Sequence, residues 1–348
     1  MQKIGVVEGF FGPAWPETDR KSYAEFLSQY GGDFYIYAPK QDYHLRKGWR
    51  DKWEKAYIQE LADLAQCFHS YKIQFGVGFS PFGLGETLST EDRSSLKEKL
   101  EIMNGIGIDM LGLFFDDMPI KANLARTQIE AYQEIKKSFH KKIIFCPSFY
   151  TPDPILDKVF GQRPKHYLED IASGIPLDVA IAWTGPKVIS PVIDRPHLIE
   201  IREVLNRKPF IWENLFANDG PRNCKFLKLK DFSGRDQIFS ETEAFAFNLM
   251  NQPQLSKISF LAASEVLKNA SESQQAFEKA LSELCTPEFR VFILKHQNSF
   301  LNQGLDAISP TERESWLQDL KQMSDPGAQE IMDWLDGKYL VGSECLTD

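Results

Sequence analysis

The chain of 348 residues is poor in the features that mark metal, redox and nucleotide enzymes. Its five cysteines, Cys67, Cys146, Cys224, Cys285 and Cys345, are scattered, with no Cys-x-x-Cys pair. An odd count without a spacing framework argues against a disulfide scaffold and for a reducing compartment. The six histidines are dispersed, with no pair at metal-ligand spacing, so neither zinc nor any other cofactor is expected. Asp42 and His44 alone hint at a metal. Gly76-Val-Gly78 lacks the third glycine of a dinucleotide fingerprint. Walker A, His-Glu-x-x-His and Gly-x-Ser-x-Gly motifs are all missing. Positive charge is also in deficit. Forty Lys and Arg against 49 Asp and Glu leave a net charge of −9, which disfavours general binding to nucleic acid or anionic membranes. No apolar run is long enough to cross a membrane, and the first residues enter a strand-like pattern with no signal-peptide core or cleavage site. The expectation is a cytoplasmic protein without nucleic-acid or membrane partners. There is no internal repeat and no low-complexity linker.

What is present alternates. Short apolar or β-rich runs fall at residues 3–8, 34–38, 74–79, 111–115, 142–147, 179–183, 210–212 and 244–250. Longer helical patterns fall between them at 19–30, 53–71, 90–106, 121–139 and 196–206. Eight strands with helical connections over residues 1–255 predict an α/β fold, a (β/α)8 TIM barrel. A doubly wound open sheet is the competing arrangement. From residue 256 to 348 the strands stop, and a C-terminal helical domain is predicted, packed on or following the barrel. Thr286-Pro287, Ser309-Pro310 and Asp325-Pro326 each pair a capping residue with proline at the first helical position. Glu312 completes a capping box with Ser309. These helices offer a surface for a homodimer, and the last few residues should be frayed.

The fourth apolar run ends in two carboxylates, Met110-Leu-Gly-Leu-Phe-Phe-Asp116-Asp117-Met118. An isolated acidic pair is most often a helix cap or a solvated surface feature. Here it stands where a barrel strand emerges, and in such barrels the chemistry lies on the loops after the strands. Two carboxylates this close resist ionising together, so the pair can supply a proton donor and an anion in one place. The other strand ends add Glu8-Gly9-Phe10-Phe11, Tyr37-Ala38-Pro39-Lys40, Phe79-Ser80-Pro81, Cys146-Pro147-Ser148-Phe149-Tyr150, Trp183-Thr184, Trp212-Glu213-Asn214, Asn218-Asp219 and Asn251. Taken singly, each has an ordinary explanation: a turn glycine, a core-facing tryptophan, a solvated lysine, a turn-forming asparagine. Taken together, aromatic rings with amide, carboxylate and ammonium groups at one rim suit a sugar. Pyranose C–H faces pack on Trp and Tyr, while hydroxyls bond to Asn, Asp and Lys.

In six of these segments the chain resembles the β-N-acetylglucosaminidases of glycoside hydrolase family 84, which include the O-GlcNAcases and bacterial hyaluronidase-like enzymes. They are Gly5-Val-Val-Glu-Gly-Phe-Phe-Gly12, Tyr35-Ile-Tyr-Ala-Pro-Lys40, Phe114-Phe-Asp-Asp117, Phe145-Cys-Pro-Ser-Phe-Tyr150, Trp183-Thr-Gly-Pro-Lys-Val-Ile-Ser190 and Trp212-Glu-Asn-Leu-Phe-Ala-Asn-Asp219. They run in family order through the barrel. The resemblance implies hydrolysis of a terminal β-linked N-acetylglucosamine, carried on a glycan or glycoprotein, with retained configuration. The implied nucleophile is the sugar's own 2-acetamido oxygen, which forms an oxazoline. Asp116 would accept the acetamido N–H, and Asp117 would protonate the leaving oxygen and then deprotonate water. Tyr150 would bond near the acetamido oxygen, and Trp212 would wall the acetamido pocket. Gly9 through its backbone, with Lys40, Asn214, Asp219 and Asn251, would hold the sugar.

The chain departs from the family pattern in three places. Glu213 stands where relatives carry Asp, and strand alternation should turn it away from the sugar. Gln41 replaces an acid after Lys40. Gly220-Pro221-Arg222 follows Asp219 where relatives often have Tyr and another acid, and residues 220–243 align weakly. Two other readings compete: a catalytically inactive lectin-like barrel, and a hydrolase holding a divalent metal on Asp42, Asp116 and Asp117.

Overall fold

The structure is a computed structural model that describes residues 2–347. The strands are β1 (Lys3–Glu8), β2 (Phe34–Tyr37), β3 (Gln74–Phe79), β4 (Met110–Phe114), β5 (Lys142–Cys146), β6 (Ala180–Trp183), β7 (Phe210–Glu213) and β8 (Ala244–Phe247). They are parallel and close into one barrel in chain order, with β8 returning to β1 so that Ile4 faces Phe245. The expected TIM barrel is therefore the architecture found. Its strands are buried along almost their whole length, as apolar runs covered on both faces must be.

The surrounding helices are α1 (Glu17–Gln29), α2 (Lys55–Ser70), α3 (Thr90–Ile106), α4 (Leu124–Lys136), α5 (Pro154–Phe160), α6 (Tyr167–Gly174), α7 (Arg195–Leu205) and α8 (Pro253–Asn269). Each turns an apolar stripe inward: α2 buries Leu61, Leu64, Ala65 and Phe68, the i, i+3, i+4, i+7 set. Between β7 and β8 the described residues form only short 3-10 turns, which is where the weakly aligning stretch falls. β8 ends at Phe247 rather than near residue 250, and that shorter strand decides which asparagine reaches the rim.

Four more helices follow: α9 (Ser273–Leu284), α10 (Pro287–Asn298), α11 (Pro310–Leu320) and α12 (Pro326–Leu335). Residue 255, where the sequence reading divides barrel from tail, lies inside α8. That helix belongs to both parts. Phe260 packs on Phe26 of α1 and on Phe247 of β8, while the Glu330 carboxylate of α12 accepts the backbone N–H groups of Gln254 and Leu255 at 2.8 Å each. Barrel and tail accordingly share one hydrophobic core. Thr286 and Ser309 cap their helices as read. Asp325 sits at the start of α12 but instead accepts bonds from the Thr286 N–H and hydroxyl, at 2.8 and 2.7 Å. Of the last few residues, where fraying is expected, residue 348 lies outside the described ones; before it, Val341 packs with Phe11 and Cys224, and Cys345 lies against that cluster.

Candidate active site

One pocket opens at the C-terminal ends of the strands. Gly9, Lys40, Asp116, Asp117, Tyr150, Trp212, Asn214 and Asp219 all line it. Residues from five separate strand ends, those of β1, β2, β4, β5 and β7, therefore meet in one place.

The two aspartates reach the pocket by a backbone device. In an extended chain, neighbouring side chains point to opposite faces. Asp117 breaks that alternation with φ of +55°, a left-handed conformation that costs a non-glycine residue about 1–2 kcal/mol. Aspartate is among the few residue types that tolerate it. The turn lets both carboxylates face the same cavity. Met118 follows and precedes Pro119, which biases the exit toward extended backbone.

Lys40 stands between the carboxylates. Its ammonium bonds Asp116 Oδ2 and lies 3.3 Å from Asp117 Oδ2, with its side chain only 6% exposed. Burial alone would lower the Lys40 pKa, but Asp116 and Asp117 together hold it above the usual lysine range. This cation offsets the mutual repulsion that two adjacent acids imply. Tyr150 donates its hydroxyl to Asp117 Oδ1 at 3.1 Å. Burial, then the charge of Asp117, lifts the Tyr150 pKa far above normal, so it remains a donor. Asp116 Oδ1 is buried and has no partner among the described residues.

Trp212 forms one wall, edge-on to Phe114 at 5.0 Å between ring centroids. Gly9 is required opposite it, because a Cβ there would lie 2.3 Å from Trp212 Cζ2. Asn214 donates to the Val188 carbonyl at 2.9 Å and accepts from Asn248 Nδ2 at 3.0 Å. Asn248 Oδ1 in turn accepts the Gly9 N–H at 3.2 Å. Asp219 accepts the Phe11 N–H at 2.9 Å, and loss of surrounding water pushes its carboxyl up to about 6.

The sequence model of the β-N-acetylglucosaminidase family matches residues 4–294. The chain belongs to the β-N-acetylglucosaminidase family. This places it among glycoside hydrolases. Proteins named protein O-GlcNAcase, from Rattus norvegicus and Mus musculus, are each 32% identical to it over 235 residues. Those matches span 64% of this chain and 25% of the relatives' length. An aspartate-to-asparagine mutant of a Thermobaculum terrenum O-GlcNAc hydrolase shares the fold. Its TM-score is 0.83 at 24% identity, covering 97% of this chain and 81% of that one.

Within this family member, several residues stand elsewhere than the sequence reading puts them. Asn251 does not line the pocket. Its amide donates to the Phe11 carbonyl at 2.9 Å, bracing the loop after β1, and Asn248 takes the rim position because β8 ends early. Glu8 points outward to Arg20 and Tyr35, at 2.7 and 2.5 Å. Asp42 binds the Tyr37 and Tyr57 hydroxyls at 2.8 and 2.9 Å. Among the described residues no cluster of three or more His, Cys, Asp or Glu side chains is set to hold a metal ion. Glu213, by contrast, turns away from the pocket as strand alternation predicts, into a buried two-point pair with Arg235 at 2.7 and 2.8 Å. Arg235 also donates to the Ser190 and Pro191 carbonyls, which anchors the loop carrying Val188 and Ile189 to the pocket wall.

The largest surprise is the end of the chain. Cys345 and Thr347 line the pocket, while Glu344 and Leu346 face an adjoining outer groove. The segment turns at residues 343–344 and again at 346–347, and it lies as a strap between pocket and groove. Burial, with Asp219 and Asp117 nearby, pushes the Cys345 thiol up to about 12, so it stays protonated. Neither Asn248 nor the strap carries a signal in the local sequence.

Proposed function

We propose that the chain is a retaining exo-β-N-acetylglucosaminidase that works by substrate assistance. The observation that carries this reading is the buried, unpartnered Asp116 Oδ1 in a pocket shared with Asp117. A buried carboxylate oxygen without a donor is costly unless a ligand supplies one. The acetamido N–H of N-acetylglucosamine is such a donor. Asp116 orients that group and stabilises the positive charge that develops on it. The acetamido oxygen attacks the anomeric carbon as the glycosidic bond breaks, and Asp117 gives its proton to the leaving oxygen. Asp117 then takes a proton from water, which attacks the same carbon and opens the oxazoline. Two displacements retain configuration. Intramolecular attack gains the effective molarity of a positioned neighbour. Tyr150 steadies Asp117, Trp212 walls the acetamido site, and Asn214, Asn248 and Asp219 hold hydroxyls.

The relatives' name supports O-GlcNAc-bearing proteins as the substrate class. The five cysteines, none in a disulfide, support a cytoplasmic setting. The described helices include none long and apolar enough to cross a membrane. The test is a panel assay of an O-GlcNAc-modified peptide against free chitin oligomers, beside Asp117→Asn. Turnover of the peptide with retained configuration, lost in the variant, is expected. Sugar binding without turnover would instead establish the lectin-like alternative.

A further inference from the structure

The left-handed turn at Asp117 needs an explanation, because nothing in the local sequence compels it. Met118 before Pro119 restricts the residue after the turn, yet leaves the sign of φ at Asp117 open. One distant side chain reaches that backbone. Arg46, in the loop between β2 and α2, donates from Nη2 to the Asp117 carbonyl oxygen at 3.0 Å. Its guanidinium is buried and lies over the rings of Phe11 and Phe82, at 5.4 and 5.5 Å from their centroids. Two aromatic faces thus fix the fork, and the fork grips the carbonyl of the residue proposed to donate the proton.

We propose that Arg46 is a positioning residue for proton donation: by binding the Asp117 carbonyl it holds the left-handed turn that brings the Asp117 carboxyl into the Asp116 pocket. This rests on the reading of Asp117 as the proton donor. Arg46 touches no reacting atom and acts only through Asp117. Without it the backbone at 117 is free to relax toward extended geometry, which turns the carboxyl toward the opposite face. Asp116 keeps its own bond to Lys40, so acetamido orientation survives while protonation of the leaving group fails.

That split has a kinetic signature. The full-length enzyme and its Arg46→Met, Arg46→Lys and Asp117→Ala variants are assayed on aryl β-N-acetylglucosaminides, from an activated dinitrophenyl leaving group to an unactivated methoxyphenyl one. Methionine keeps apolar contact with both rings but cannot donate. Arg46→Met should lose about tenfold to hundredfold in kcat/KM on the methoxyphenyl glycoside. On the dinitrophenyl glycoside, which needs no proton, the loss should stay under about threefold. Arg46→Lys, which restores one donor, should recover part of the loss, and thermal unfolding reports whether each variant folds. Equal loss on all leaving groups, or no loss, in a set where Asp117→Ala shows the steep dependence, overturns the role of Arg46 alone. Absence of that dependence in Asp117→Ala overturns the proton-donor reading, and the inference with it. If Arg46→Met does not fold, Arg46→Lys carries the same comparison: a flat loss across leaving groups overturns the inference, and a graded one supports it.

Discussion

Replacing Gly9 with alanine tests how tightly the pocket wall is built. The added Cβ would stand 2.3 Å from Trp212 Cζ2 and 2.9 Å from Cη2. Ordinary contact begins at 3.4 Å, so the indole must retreat by 3.4 − 2.3 = 1.1 Å or the β1 end must move by as much. Neither moves freely. Trp212 is 5% exposed and edge-on to Phe114, while Gly9 is tied to Asn248 through its N–H. Overpacking of this kind costs roughly 1–3 kcal/mol of stability. A displacement near 1 Å at a positioning wall costs about a hundredfold in rate. Thermal unfolding and kcat/KM on an aryl β-N-acetylglucosaminide measure the two effects. The double variant with Trp212→Phe removes the clashing atoms, so the two substitutions should couple by about 1–2 kcal/mol rather than add. Wild-type stability and activity in Gly9→Ala would refute the argument, as would strict additivity in the double variant.

Glu213→Ala leaves the Arg235 guanidinium buried without its carboxylate and should cost about 3–5 kcal/mol in a denaturant titration. Asp219 titrates near 6, so it is an anion above that pH and a good acceptor for sugar hydroxyls. As pH falls through about 6 it gains a proton, and KM should rise; Asp219→Asn should lose about 2 kcal/mol of binding and abolish that pH step. Deleting the chain from residue 343 onward removes Cys345 and Thr347 from the pocket. With the strap in place the pocket offers a space of about 50 Å³, small beside an engineered cavity of about 150 Å³ that binds benzene. Truncation should therefore raise kcat/KM, by about tenfold if the strap is seated in nine molecules of ten. Unchanged kinetics would show that the strap leaves the site without competing.

The barrel was legible because its signals are local. Apolar runs, helical stripes and the caps at Thr286 and Ser309 depend on residues within a few positions of one another. The pocket was legible in outline for the same reason. Chemically apt residues stand at successive strand ends, and the barrel then brings those ends together. The sequence pattern places Asn251 at the rim, whereas the structure places Asn248 there, because the length of β8 is set by pairing with β7 and β1, not by its own residues. Strand alternation suffices to turn Glu213 away from the pocket, yet its partner Arg235 lies 22 positions on, in the stretch that aligns poorly.

The Asp116-Asp117 doublet shows where the division falls. Its residue types and its place after the fourth strand are properties of the sequence, and they sufficed to nominate two carboxylates for the chemistry. That both face one cavity is a tertiary decision. It needs a left-handed turn at Asp117, a lysine from the second strand end between the two acids, and an arginine 71 positions away on the Asp117 carbonyl. Local chemistry limits what a backbone position can adopt. Contacts from distant segments select among those options, because only the folded barrel brings their charges and donors within bonding distance.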